Sequence, residues 1–197
     1  GEYAKTTMGT PQGGNISPLL SNIMLNELDR ELEARGLRFV RFADDCVIAV
    51  GSSAAANRVM TSVTGFIEKK LGLKVNASKS KVTKPMNLKY LGFGFWKDKD
   101  RWKARPHKDS IKRFERKLKA KTKRNWSVSI DQRIAELNQL IRGWINSFRM
   151  GNMKSTLRRI DEHLRTRMRI VIWKQWKTSA RRYWGLRKLG APEWIAR

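Results

Sequence analysis

Between residues 98 and 107 the hydrophobic residues of this chain change period, so no single class of secondary structure accommodates the whole pattern. Before that stretch Leu91, Phe93 and Phe95 alternate, as on a half-buried sheet face. After it Ile111, Phe114 and Leu118 fall three and four apart, as on a helix. A length of 197 residues holds one ordinary domain or two small ones. The change of period favours two, divided as 1–105 and 106–197.

The first part reads as α+β, with helices packed on an antiparallel sheet. Ser17-Pro18 starts a helix, the Ser as N-cap and the Pro at the first helical position. Leu20, Met24, Leu28 and Leu32 follow on one face, and Gly36 ends the helix. Residues 37–42 and 46–50 read as two strands joined by the turn Ala43-Asp44-Asp45. The apolar flanks of that turn imply a buried hairpin. Ser52 or Ser53 caps a second helix whose apolar face is Val59, Met60, Val63, Phe66, Ile67 and Leu71. Residues 81–83, 88–96 and 102–105 read as further strands. In the second part Ile111, Phe114 and Leu118 mark one helix. A capping box at Ser129-Ile130-Asp131-Gln132 opens the next, with Ile134, Leu137, Ile141, Trp144, Ile145 and Phe148 on its face. Leu157, Ile160, Leu164, Met168 and Val171 mark a third. Three helices with short links predict a small bundle.

Charge divides the chain in the same way. Residues 1–80 carry 10 basic and 8 acidic side chains, whereas residues 81–197 carry 33 and 9. A block with that excess repels itself unless it faces a polyanion. Arg and Trp are interleaved across folded helices rather than crowded into a tail, which favours nucleic acid over a membrane surface. No apolar run approaches the ~20 residues of a membrane span. There is no basic-then-apolar leader. Cys46 is the single cysteine, so neither an intrachain disulfide nor a thiolate zinc site is expected, and it reads as core packing. The expected setting is a reducing cytoplasm. The chain begins with Gly1 rather than Met, as a fragment would.

Two motifs carry chemistry. Phe42-Ala43-Asp44-Asp45 puts adjacent carboxylates at a bend. Like charges this close disfavour each other's ionisation unless a cation joins them, and Mg²⁺ prefers carboxylate oxygens plus substrate phosphates. Taken alone, Asp-Asp is also what an ordinary turn prefers. Upstream, Gly9-Thr10-Pro11-Gln12-Gly13-Gly14-Asn15-Ile16-Ser17-Pro18 is a Gly-rich loop feeding a helix N-terminus, a place suited to phosphates. Alone, it too reads as a turn.

Together these motifs resemble a family. Residues 9–22 resemble the fourth sequence block of bacterial retroelement reverse transcriptases. Phe42-Ala43-Asp44-Asp45 resembles the fifth, with Phe in place of the usual Tyr. Residues 71–81 resemble the sixth, and Tyr90-Leu91-Gly92-Phe93 the seventh. The basic half resembles the thumb, or maturase domain, of group II intron proteins through Gly143-Trp144-Ile145-Asn146-Ser147-Phe148-Arg149, Ile172-Trp173-Lys174-Gln175-Trp176-Lys177 and Leu189-Gly190-Ala191-Pro192-Glu193-Trp194. The resemblance implies a partial polymerase palm over 1–105 followed by an all-α thumb bundle over 106–197.

It also implies roles. Asp44 matches the catalytic metal-binding carboxylate, and Asp45 its partner at the Mg²⁺ site. Gln12, Gly13, Gly14 and Phe42 match the nucleotide-binding surroundings. Leu91, Gly92 and Phe93 match the primer grip. Lys79 or Lys81 stands where the sixth block has a lysine proposed to donate a proton to pyrophosphate; a solvated lysine reads the same. Arg158, Arg159, Arg165, Arg167, Arg169, Lys174 and Lys177 are expected on the RNA backbone, although a solvated helix face has the same composition. Trp126, Trp173, Trp176, Trp184 and Trp194 have the chemistry to stack on bases, whereas Trp144 lies on an apolar face and reads as core. The implied partners are group II intron RNA, an RNA template, a DNA primer and deoxynucleoside triphosphates. The family's third carboxylate belongs upstream of residue 9, and Glu2 does not match it. The chain alone is therefore expected to be inactive as a polymerase unless a fingers and palm polypeptide joins it. The alternatives are a non-catalytic maturase module that holds intron RNA, or an inactive remnant.

Overall fold

The computed structural model describes residues 14–196. Its contacts divide the chain into two compact units, which meet between Lys84 and Pro85.

The first unit is a helix, a hairpin and a helix: α1 (Ser17–Ala34), β1 (Arg38–Phe42), β2 (Asp45–Ala49) and α2 (Ser53–Lys69). Ile16, not Ser17, occupies the N-cap of α1, so the helix starts one residue earlier than the Ser-Pro signal predicts. At the other end Gly36 takes φ 66°, and Leu37 N–H reaches back to the Leu32 carbonyl at 3.0 Å. That left-handed closure turns the chain straight into β1. Ser52 caps α2, its hydroxyl accepting from Ala55 N–H at 3.1 Å. The core joins Leu28, Leu32 and Val63 to Phe39, Cys46, Ile48, Val59, Phe66 and Ile67. Cys46 sits among them as expected, and burial pushes its thiol pKa up. Only the C-terminal half of the α1 stripe is buried; Leu20 and Met24 are exposed. Val40 and Phe42 also face outward, because β1 alternates and only Phe39 and Arg41 turn inward. The expectation of a buried hairpin therefore holds for one face only. Beyond α2 residues 73–84 form no strand, contrary to the strand expected at 81–83. Asn76 organises that loop instead. Its side-chain oxygen accepts from the N–H groups of Ser78 and Lys79 at 3.1 and 3.2 Å.

The second unit opens with a 3-10 turn, Pro85–Asn87, and a three-stranded antiparallel sheet: β3 (Lys89–Tyr90), β4 (Phe93–Asp98) and β5 (Arg101–Pro106). The strand expected over 88–96 is in fact two, folded at Leu91-Gly92. Helices α3 (Lys108–Lys121), α4 (Ile130–Phe148) and α5 (Lys154–Gln175) follow. Their core is Phe114, Leu118, Leu137 and Ile160, with Ile141, Trp144, Leu164 and Met168 around it. Ser129 caps α4 by accepting from Gln132 N–H at 3.1 Å. The Gln132 side chain turns to Glu136, so only one half of the capping box forms. Two further helices, α6 (Ser179–Lys188) and α7 (Glu193–Ala196), extend the predicted three. The sheet packs on these helices: Phe93 meets Phe148 edge-on at 5.0 Å, and Asn152 N–H bonds the Ala104 carbonyl at 2.8 Å. The contact division at Lys84/Pro85 thus precedes the change of hydrophobic period at 98–107.

Candidate active site and nucleic-acid interface

Two residues, Ala43 and Asp44, join β1 to β2, and Phe42 pairs with Asp45. Asp45 is thus the first residue of β2 rather than part of the turn. Ala43 takes φ 53°, which L-residues rarely adopt, but a positive φ at this position matches the twist of a two-residue hairpin. Something must hold that conformation, and Arg41 does. Its guanidinium donates to both carboxylate oxygens of Asp29 on α1, at 2.8 and 2.5 Å. The remaining terminal nitrogen donates to Asn22 Oδ1 at 3.0 Å and to the Ala43 carbonyl at 2.9 Å. One side chain ties the bend to the helix in a bidentate, charge-assisted geometry.

The carboxylates of Asp44 and Asp45 stand exposed at this braced tip, with Phe42 exposed beside them. As hard oxygen donors they fit Mg²⁺ chemically. Among the described residues no group of three or more His, Cys, Asp or Glu gathers into a metal cluster, so the pair does not complete a site by itself. Gly14 lies just before α1, and its carbonyl accepts from Ser17 N–H at 3.1 Å. Gln12 and Gly13 fall outside the described residues. Lys79 and Lys81 are both exposed in the Asn76 loop, and only Lys79 is tied to Asn76 through its backbone N–H.

Leu91 and Gly92 form the two-residue turn of a second hairpin, at φ 48° and 82°. Tyr90 pairs with Phe93 across it. The Gly92 carbonyl accepts from His107 N–H at 2.9 Å and from the Ser110 hydroxyl at 2.8 Å. A Cβ at Gly92 would lie 3.2 Å from both Phe148 Cζ and Ser110 Oγ. The turn is therefore pressed against α3 and α4 with little room for a side chain. Phe93, Phe148, Trp144 and Phe114 continue inward as a ladder of ring contacts, and Trp144 stacks on Phe114 at 4.5 Å. That contact places Trp144 in the core, as its periodicity predicts.

The cations expected on RNA, along α5 and just beyond it, divide into three groups. Arg158, Arg169, Lys174 and Lys177 are exposed and make no ion pair among the described residues. Arg159 pairs with Glu115, and Arg165 with Asp161. Arg167 departs from an RNA-facing role. Its guanidinium turns inward to the C-terminal end of α3, donating to the Thr122 hydroxyl at 2.6 Å and to the Thr122 and Lys119 carbonyls. Arg133 does the same from α4, donating to the carbonyls of Lys121, Lys123 and Trp126, and is fully buried. Trp126 lies against this cluster, 4.7 Å from the Arg133 guanidinium, and so belongs to the fold. Trp173, Trp184 and Trp194 remain exposed.

Comparison with known proteins gives two matches along the chain. Residues 2–95 match the reverse transcriptase (RNA-dependent DNA polymerase) family, and residues 111–190 match the group II intron maturase-specific domain. The chain belongs to the group II intron reverse transcriptase/maturase family. Among similar proteins, Protein YkfC of Escherichia coli is 32% identical over 116 residues, covering 42% of this chain and 30% of that protein. A putative COX1/OXI3 intron 2 protein of Saccharomyces cerevisiae is 23% identical, covering 83% of this chain and 26% of its own length. The group II intron-encoded protein LtrA of Lactococcus lactis subsp. cremoris is 52% identical over 40 residues, 20% of this chain and 7% of that protein. The chain thus spans less than a third of the length of each of these relatives. Reverse transcriptases use a divalent metal at their carboxylates. Among the described residues no helix is long and apolar enough to cross a membrane.

In this reverse transcriptase segment the residue that sequence reasoning missed is Arg41. Its signal was available: a lone cation on the inward face of an apolar strand, with Asp29 near the buried end of the preceding helix. In the maturase domain the missed residues are Arg124, Arg133 and Arg182, which the overall excess of basic residues conceals.

Proposed function

We propose that this chain supplies the metal-binding hairpin, the primer grip and the thumb of an RNA-directed DNA polymerase that also binds its group II intron RNA. The observation that carries this reading is the braced tip: adjacent exposed carboxylates on a hairpin whose bend is tied to α1 by Arg41 and Asp29. A bend held in this way keeps its carboxylates in place as phosphates arrive and leave.

In this reading residues 1–105 act as palm and 106–197 as thumb. Asp44 and Asp45 hold Mg²⁺, which when bound lowers the cost of deprotonating the primer 3′-hydroxyl and steadies the departing pyrophosphate. A further carboxylate from outside the described residues completes the set. Gln12, Gly13, Gly14 and Phe42 shape the pocket for the deoxynucleoside triphosphate. Leu91, Gly92 and Phe93 steady the primer end, and Gly92 keeps that turn seated on α3 and α4. Lys79 or Lys81 neutralises the leaving group. Arg158, Arg169, Lys174 and Lys177 contact the phosphates of template–primer duplex and intron RNA. A-form grooves hinder base reading, so these contacts are to the backbone and weaken with salt. The expected setting is the bacterial cytoplasm.

The test is Asp44→Ala in the polypeptide that carries the full polymerase domain. Primer extension on an RNA template should fall by at least about 10²-fold, as expected when a metal-bound transition state loses its ligand. Affinity for intron RNA and assistance to splicing should be unchanged. Equal loss of synthesis and RNA binding would make Asp44 a structural residue. Normal synthesis would refute the assignment of the metal site.

A further inference from the structure

An open trough of about 570 Å³ lies in the second unit where the end of α5, the start of α6 and the α3–α4 loop converge. That volume falls within the range of small-ligand sites. Its lining is unlike the rest of the basic surface. Trp173 and Ile170 provide an aromatic and aliphatic wall, both about half exposed. Arg124, Arg169, Lys174 and Lys177 stand around it, and no acidic residue lines it.

The trough is preformed. Arg182 lies over the Trp173 ring at 4.9 Å and is held there by a 3.0 Å hydrogen bond to the Trp176 carbonyl. Trp176 in turn lies flat against Gly185 of α6, where a Cβ would come within 2.4 Å of its ring. Only glycine lets α6 seat this closely on the Trp176 ring, whose backbone carbonyl holds Arg182 over Trp173. On the opposite side the loop bearing Arg124 is anchored by Arg133 and Arg167 through its carbonyls. Backbone phosphates alone would need the cations but not an indole held open among them. An exposed indole framed by guanidinium groups is the chemistry of base stacking next to phosphate binding.

We propose that this trough takes one unpaired RNA nucleotide, its base stacked on Trp173 and its flanking phosphates held by Arg124, Arg169, Lys174 and Lys177. This rests on the RNA-binding reading of the maturase domain and deepens it. The domain then distinguishes RNA with an unstacked base from continuous duplex, because single-stranded bases are free to splay onto an aromatic wall and paired bases are not.

The experiment compares the whole chain with Trp173→Ala and Trp173→Phe for binding to a single-stranded RNA oligonucleotide and to a blunt RNA duplex of equal phosphate count, at one salt concentration. Trp173→Ala should lower the ratio of single-strand to duplex affinity by about tenfold, the scale of one lost base stack, and Trp173→Phe should restore most of it. On the unaltered chain, ultraviolet crosslinking to 4-thiouridine RNA should map to the peptide bearing Trp173. This second measurement stands even if the alanine variant fails to fold. An unchanged ratio, or a crosslink confined to other peptides, overturns the pocket while leaving backbone RNA binding intact. Failure of the unaltered chain to bind either RNA overturns the RNA-binding reading itself. Equal competition by polyglutamate of matched charge would show a polyanion surface without base recognition, and would also overturn the proposal.

Discussion

The two units handle charge in opposite ways. The first, through Lys84, carries 12 basic and 8 acidic side chains and places one ion pair, Arg41 with Asp29, against an apolar core. The second must fold with a large excess of cations, and few carboxylates are available to pair with them. Its buried Arg133 therefore bonds three backbone carbonyls at the end of α3 and the following loop rather than an acid. Arg167 does likewise. The last carbonyls of a helix lack intrahelical partners and carry its partial negative charge, so they serve as counter-charge. A strongly basic domain can thus rigidify itself with arginines and still keep others on its surface. The first unit shows the reverse economy: a single arginine shapes the bend that presents its acids, while Leu19, Leu20, Ile23, Val40 and Phe42 stay exposed.

The contrast is breakable. Arg133→Met should cost the most, about 3–5 kcal/mol, because several buried carbonyls lose their donors together. Urea unfolding measures it, and a loss under 1 kcal/mol would mean the carbonyls have other partners. Next, Arg41→Met should cost about 2–3 kcal/mol by stranding the part-buried Asp29 carboxylate. Amide exchange should then quicken across β1 and β2 while α4 and α5 stay protected. Acceleration in both units alike would erase the distinction between them. Gly92→Ala comes third. At φ 82° and 3.2 Å from Phe148, the added methyl should cost about 1–2 kcal/mol. An unchanged melting temperature would show that the turn is loosely seated.

The smallest effect concerns pH. His107 caps α3, its Nδ1 accepting from Asp109 N–H at 3.2 Å, a bond only the neutral ring can make. Burial lowers its pKa, opposed by Asp109 and assisted by Lys89, Lys108 and Arg105. The unfolded chain therefore binds the proton more readily than the folded one. This contribution is complete above the ordinary imidazole range and is lost as pH falls through it. His107→Asn, which keeps a capping acceptor, should flatten that pH dependence in thermal melts. A slope that survives the substitution would assign it to another group.

Much of this was legible in the residues. Apolar spacing located the helices through α5, Gly36 marked the close of α1, and Ser129 marked the start of α4, because each depends on neighbours within one or two turns. The strand expected over 88–96 failed where alternation continued across Leu91-Gly92. A two-residue hairpin preserves period 2 on either side, so periodicity does not detect the fold-back. The helices α6 and α7 escaped because they are short and their apolar residues are few and mostly exposed, so no long stripe marks them. Of the candidate site, Asp44 and Asp45 were readable as a motif, whereas the sorting of cations was not. Arg158 and Arg167 lie in the same helix with the same side chain, yet one is exposed and the other caps a neighbouring helix.

Local order and family therefore came from sequence alone: where the longer helices run, which faces are apolar, and which acids stand at a bend. Only the tertiary structure decided which arginines brace the fold and which stay on the surface, and where an indole remains open among cations. Those outcomes depend on carbonyls and rings brought together from distant positions in the chain, and the identity of a residue does not specify the partner it will meet.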